Sequence, residues 1–415
     1  MVTDSEAIHK CRVNSNKDGE TFVGIKSDGK DISVCFPLGY RMGGTAKEWK
    51  LDIRNLIRVL SRFDIGKENL LPQQRFDNHE TVDFPIQAYL TVISEYTSRG
   101  YYVENEVNYK KNHRGKINWS RTIKTQKAYP QNGSFLYLDF VTKDSVVDRN
   151  NFITLINEFC VYESFSKLGW LFTSAMPNPA RIPFDEKRFL AAIRDKLSNT
   201  NNDKDKMLFN GMVDMIKYIG TTDNSGRFYF GTDRFEYVWE KMIDFTYGIT
   251  GKNYYFPKTT WHLNNSGRRT NAALEPDTIM IIDDKIIVID AKFYKYGDTA
   301  IPSDLPESSS INKQITYGEY IATQQKFKEK HGEDIKVYNV FLMPFNKDSH
   351  NFLSDSPLKH IGESRGSWKS SGKEYERVQG ILLDVKHIMS NSLRRNAKEI
   401  SSLAELFERI FIDYQ

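Results

Sequence analysis

The sequence predicts an α+β protein of several domains: an α+β domain over 1–145, a helical connector over 146–230, an α/β core over 231–350, and a C-terminal strand and helix over 351–415 that complete the core. Three observations lead there. The N-terminal third mixes helix-spaced apolar residues with short alternating stretches. From Asp148 the spacing becomes helical. Near 275–293 two isoleucine-rich runs flank a pair of aspartates, inside the order αβββαβ.

In chain order, residues 20 to 40 read as short strands ending at Pro37. Residues 46 to 63 space Trp49, Leu51, Ile53, Leu56, Ile57, Leu60 and Phe63 as one face of a helix. A second helix runs from Ile86 to Ser98 and stops at Gly100. Alternation at Tyr101, Val103, Val107 and Tyr109, then the apolar run SFLYLDFV, supplies strands. Helical spacing follows through Ile153, Ile156, Phe159, Tyr162 and Phe165, and again in PFDEKRFLAAIRDKL. SNTNNDKDK, 198–206, reads as a solvated loop. The core then reads helix 233–247, strand 253–262, strands 277–282 and 286–293, helix 311–330 and strand 336–343.

Composition narrows the function classes. Lys plus Arg number 58 against 54 Asp plus Glu, a net charge of +4, so any contact with nucleic acid must be local. No apolar run reaches the ~18 residues of a membrane span. Cys11, Cys35 and Cys160 are few, odd in number and scattered, which excludes a disulfide framework and predicts a reducing cytoplasm.

The chemistry lies in EPDTIMIIDDKIIVIDAKF, residues 275–293. If Asp283 and Asp284 form a two-residue loop, Ile282 faces Lys285 and, counting outward, Asp277 faces Asp290. Lys292 shares the Asp290 face, because side chains alternate. Both faces of this hairpin are otherwise apolar, so the sheet is expected to be covered on both sides. Two facing acids repel unless a cation lies between them, and hard oxygen donors suit Mg²⁺ or Mn²⁺. Such an ion polarises a phosphodiester and acidifies water, with Lys292 orienting that water or offsetting charge. Glu48-Trp-Lys50, Asp185-Glu-Lys187 and Asp334-Ile-Lys336 also fit acid-x-Lys, but sit on a helix, a helix start and a strand entrance.

Around this centre, Thr232 is expected to cap the helix that carries Glu236 and Glu240, four apart on one face. His262, Arg268 and Arg269 are expected on a loop, as phosphate contacts or as ordinary solvated charges. Upstream, Lys110, Lys111, Arg114, Lys116, Arg121 and Lys124 surround Trp119, either as a DNA or partner surface or as an exposed basic turn. GSWKSSGKE, 366–374, has five residues between its glycines and Glu374 where a phosphate loop needs Ser or Thr, and it is expected to follow no strand. Without another phosphate-loop candidate, the chain is not expected to hydrolyse nucleotides.

The order αβββαβ, with Pro276-Asp277 and Asp290-Ala-Lys292 on the hairpin strands, resembles the PD-(D/E)xK nuclease core. Together with FPIQAYLTVISEYTSRGYYVENEVNY, GKINWSRTIK and FEYVWEKM, it is similar to the LlaJI-type restriction endonucleases, relatives of the McrC nuclease subunit, from about residue 20 to about 390. The resemblance implies a DNA endonuclease of a bacterial restriction system with Asp277, Asp290, Lys292 and Gln314 as catalytic residues. It places Asp277, Asp290, Ala291 and an acid of the first core helix around the metal, with Glu240 preferred to Glu236. Arg268, Arg269, Lys116 and Arg121 are the DNA-binding candidates. Similar nucleases carry Q-x-x-x-Y after the hairpin, where this chain has Gln314-Ile-Thr-Tyr317, a departure that leaves Tyr317 open. The resemblance also implies a separate McrB-like AAA+ GTPase partner. The alternatives are a stand-alone type II or repair nuclease and a catalytically silent DNA-binding scaffold.

Overall fold

A computed structural model describes residues 11–15, 20–63, 84–221, 227–264, 267–370, 372–392 and 396–412. They fall into two compact units: Met1–Thr81 with Gly226–Gln415, and Val82–Ser225. The structure thus groups the chain differently from the linear division expected above. The first strands and helix belong with the C-terminal core, and the middle of the chain is an insertion between them.

The first unit begins with β1 (Cys11–Val13), β2 (Val23–Asp28), β3 (Ile32–Phe36) and α1 (Ala46–Phe63). Helix α1 starts with a reciprocal capping box: Glu48 N donates to Thr45 Oγ1 at 3.3 Å, and Thr45 N donates to Glu48 Oε2 at 3.0 Å. Trp49, Ile53, Leu56, Ile57, Leu60 and Phe63 are buried as the spacing predicts, whereas Leu51 lies on the opposite face and is exposed.

The inserted unit holds α2 (Ile86–Arg99), β4 (Glu104–Lys111), β5 (Lys116–Ile117), α3 (Trp119–Thr125), β6 (Ala128–Gln131), β7 (Ser134–Tyr137), β8 (Val141–Asp148), α4 (Phe152–Leu168), α5 (Glu186–Asn199) and α6 (Asp203–Thr221). SFLYLDFV, expected to supply strands, is divided between β7 and the start of β8, and Phe135, Leu136 and Leu138 are exposed. The loop expected over 198–206 shortens because α6 already begins at Asp203.

The first unit resumes with β9 (Arg227–Thr232), which pairs antiparallel with β2 to complete a sheet of order β1-β3-β2-β9. Gly24 faces Gly231 in that ladder, and a Cβ on Gly24 would lie 2.2 Å from Phe230 O, so the two strands meet through glycines. Then follow α7 (Phe235–Tyr247), β10 (Lys258–Leu263), β11 (Gly267–Ala273), β12 (Thr278–Ile282), β13 (Lys285–Ala291), α8 (Tyr296–Thr299), α9 (Ser308–Thr323), α10 (Gln325–His331), β14 (Lys336–Phe345), β15 (Leu358–Arg365), β16 (Arg377–Asp384), α11 (Val385–Asn391) and α12 (Ala397–Ile412). Thr232 does not cap α7; Arg234 does, and the Thr232 hydroxyl accepts from Arg234 N at 3.1 Å. The single helix expected over 311–330 is two, separated at Gln324.

The core sheet has the order β12-β13-β14-β16-β15, with β13, β14 and β16 parallel and both edges antiparallel. On one face Ile279, Ile286 and Val288 pack with Tyr317, Ile321 and Phe327 of α9 and α10. The alternate residues Met280, Ile287 and Ile289 are fully buried on the other, where α7 and α12 meet β12. The expected strand near 253–262 is not in this sheet; among the described residues β10 pairs only with β11.

Helix α1 is fastened to this core by a buried polar knot. Asp52, 2% exposed, accepts from the Tyr40 hydroxyl at 2.9 Å and Gly43 N at 2.7 Å, and lies 2.8 Å from Lys386 Nζ of α11. Removing the acid leaves a cation and a hydroxyl without their partner. Asp52→Ala is therefore expected to lose about 3 kcal/mol in urea unfolding, against less than about 0.5 kcal/mol for the exposed Leu51→Ala. Equal effects would show that the knot does not hold α1.

Candidate active site

The β12–β13 register pairs Ile282 with Lys285 and Thr278 with Ile289, the register expected from a loop of Asp283 and Asp284. Asp283 turns the corner with φ +50°, a left-handed conformation that Asp tolerates. One step beyond the last ladder pair, Asp277 Oδ2 accepts from Ala291 N at 2.8 Å. This bond draws the Asp277 carboxylate across to the end of β13, beside Asp290.

Asp290 is 6% exposed, and Lys292 Nζ lies 2.7 Å from its Oδ2. The lysine is fixed from behind. Its backbone N donates to Leu342 O on β14 at 2.9 Å, and the next residue, Phe293, packs its ring on Phe235 and Trp239 of α7. Burial pushes the Asp277 carboxyl up to about 8, with Asp290 and then Glu240 adding to the rise and the Ala291 N–H opposing it. Burial also raises Glu240, against the pull of Lys292. Of the two acids on α7, Glu240 is half-buried and its charge reaches both aspartates, whereas Glu236 is exposed.

Two lysines escaped the sequence reading. Lys252, in the 3₁₀ turn after α7, donates to the backbone carbonyl of Asp277 and pairs with Asp244 at 2.9 Å, holding the entry to β12. Lys313 on α9 lies over the Tyr317 ring, 5.7 Å from its centroid, and its charge faces Asp290 and Lys292. The one-turn spacing of Lys313 and Tyr317 is the signal in the sequence that marks Lys313.

Gln314 is placed elsewhere. It is 1% exposed, and its Nε2 donates to Val288 O at 2.7 Å and more weakly to Val340 O at 3.4 Å, so it clasps β13 to β14. Tyr317 is buried in the core cluster under the site, and burial pushes its phenol up, opposed by Lys313. Arg268, Arg269 and His262 are not on a loop: they belong to the β10–β11 hairpin. Lys116 and Arg121 belong to the inserted unit; Arg121 stacks 3.6 Å from the Tyr109 ring centroid, and Lys110 and Lys111 are paired with Asp144 and Asp139.

A model of the LlaJI restriction endonuclease family matches residues 22–359. The chain belongs to this family. The match spans both compact units, so the inserted unit is part of what defines a LlaJI-type chain. A component of the type II restriction enzyme BsuMI, YdjA of Bacillus subtilis (strain 168), is 22% identical over 356 residues, covering 80% of this chain and 73% of that protein. Among solved structures, a refined half-complex from a tetradecameric assembly of Thermococcus gammatolerans McrB AAA+ hexamers with bound McrC is similar over 90% of this chain and 82% of that chain, with 15% identity and a TM-score of 0.35.

The other acid-x-Lys matches in this LlaJI-family chain are engaged as expected: Glu48 closes the capping box, Asp185 caps α5 at Arg188 N, and Lys336 opens β14. GSWKSSGKE does follow a strand, β15, contrary to expectation, but it leads to a 3₁₀ turn and β16 and to no phosphate-binding helix.

Among the described residues no group of three His, Cys, Asp or Glu side chains is preset around an ion. The donors present still fit Mg²⁺, which typically takes one or two carboxylates and completes its shell with water and phosphate oxygens. Two acids converge here, and burial, with the other acid's charge adding to it, raises one of them.

Burial of Asp277 beside a second acid gives a measurable pH dependence. The Asp277 carboxyl is raised from an ordinary value of about 4 in the unfolded chain to about 8 in the fold. Its contribution to stability is therefore present at low pH and lost as pH rises through 8. In metal-free buffer the melting temperature of Asp277→Asn relative to wild type is expected to climb from pH 5 to pH 9, and added Mg²⁺ is expected to raise only the wild type. A flat difference across that range would mean that Asp277 is not strained by its neighbours.

Proposed function

We propose that this chain is the metal-dependent cleavage subunit of a bacterial restriction system, hydrolysing phosphodiester bonds of foreign DNA at Asp277, Asp290 and Lys292. The observation that carries the reading is the convergence of two acids and a lysine at one end of a strand buried on both faces. Burying such charges without a task costs stability, and membership of a restriction endonuclease family supplies the task.

Asp277, Asp290 and the backbone of Ala291 would hold the divalent ion, with Glu240 alongside. When bound, that ion supplies charge to the phosphate and a more acidic water. The chain's own groups do the placing. Ala291 N–H and Lys252 fix Asp277 from its carboxylate and its carbonyl ends. Lys292, beside Asp290, is positioned to turn its ammonium to the scissile phosphate and offset charge as the P–O bond breaks. Gln314 acts by clasping the two strands that carry this end of the site, which makes it a positioning residue.

A McrB-like AAA+ GTPase is the partner we assign. The sequence resemblance suggests it, and the Bacillus relative is itself described as one component of a restriction enzyme. The working place of such a system is the bacterial cytoplasm.

The test is cleavage of unmodified and methylated plasmid DNA in Mg²⁺, with and without the candidate GTPase and GTP. Asp290→Ala and Lys292→Ala are each expected to lower the rate at least about 10²-fold while DNA is still retained. Undiminished cutting would remove these residues from the mechanism. Cutting without GTP or a partner would favour a stand-alone nuclease, and binding without any cutting would favour a scaffold.

A further inference from the structure

Between α7 and the catalytic hairpin the chain makes an excursion that the core does not use. Among the described residues strands β10 and β11 pair only with each other, and nearly every described residue on both faces of the ribbon is exposed. An isolated two-stranded hairpin is marginal in water and gains little by burial here. Its base is nevertheless closed by Leu274 N donating to Pro257 O at 2.8 Å, and three residues later the chain reaches Asp277.

The register sorts its side chains. Trp261 faces Arg269, and Asn271 Nδ2 donates to Thr259 Oγ1 at 2.9 Å, so Thr259, Trp261, Arg269 and Asn271 share one face. His262 faces Arg268, and the hydroxyls of Thr260 and Thr270 meet at 3.3 Å on the other. Each face thus presents an arginine flanked by hydrogen-bonding groups, and Trp261 is 61% exposed. From Lys258 to Leu274 there is no Asp or Glu. Among the described residues neither arginine has an acid within ion-pair distance.

We infer that the β10–β11 ribbon is a DNA-reading arm, which enters the major groove of duplex DNA and holds the strand against the site that begins at Asp277. A two-stranded ribbon fits a major groove about 12 Å wide, and its ~20 Å length spans several base pairs. Charge selects the occupant: an acid-free surface carrying Lys258, Arg268 and Arg269 complements a phosphate-lined groove. Arginine, asparagine and threonine are also the donors that read base edges there. This inference rests on the nuclease reading above and adds to it the element that engages the substrate.

The full chain carrying Asp290→Ala, which removes cutting, provides the background in which binding to a mixed-sequence duplex is titrated without metal over a range of salt. Adding Arg268→Ala with Arg269→Ala is expected to weaken binding about tenfold or more and to flatten the dependence of log K on log salt by about two. Trp261→Ala, tested in the cleaving chain, is expected to change which plasmid sites are cut. Because the arm is exposed, thermal unfolding should be unchanged in all of these variants.

Binding affinity and salt slope equal to the parent's, or no duplex binding by the parent at low salt, would overturn the arm's role and would leave it at most a protein contact. The nuclease reading fails separately, when Mg²⁺-dependent cutting is absent or is insensitive to Asp290.

Discussion

Everything at the site follows from the burial of β13 on both faces. A strand with Ile287, Val288 and Ile289 fully enclosed cannot solvate a carboxylate within its length, so the charges gather where the strand leaves the sheet. There Asp290 finds Lys292, and Asp277 is pulled across by the Ala291 N–H. The parallel ladder to β14 fixes how far β13 runs, and Lys292 continues it by one bond to Leu342 O. The geometry of three charged residues is therefore set by apolar packing several residues away.

Much of this was legible in the sequence, for an identifiable reason. Period-two alternation and a two-residue loop leave a hairpin only one register, and the facing of Asp277 and Asp290 is a consequence of counting. Helix α1 was legible in the same way from its apolar stripe, apart from Leu51, which sits off that stripe. What could not be counted was anything joined across long separations. The pairing of β2 with β9 and the knot of Asp52 with Lys386 depend on the return of the chain after an insertion, and no local pattern encodes them.

Roles were harder to read than places. Gln314 was assigned to chemistry because it lies on the right helix, yet a buried amide has donors to satisfy, and carbonyls of β13 and β14 accept from it. Lys252 lies in a stretch that carries no periodic signal, and Lys313 is marked only by its one-turn spacing from Tyr317. The arginines at 268 and 269 read as loop residues because a ribbon exposed on both faces lacks the alternation that marks a half-buried strand.

The chain leaves the nuclease body after α1 and comes back as β9, a strand of the same sheet to which β2 belongs. Phe63, at the point of departure, packs its ring 5.9 Å from Phe245, on the helix that follows the point of return. Departure and return are thus tethered to one small region of one framework. The insertion therefore begins and ends on one patch of the framework, and the register of the strands that carry Asp277 and Asp290 is set within that framework.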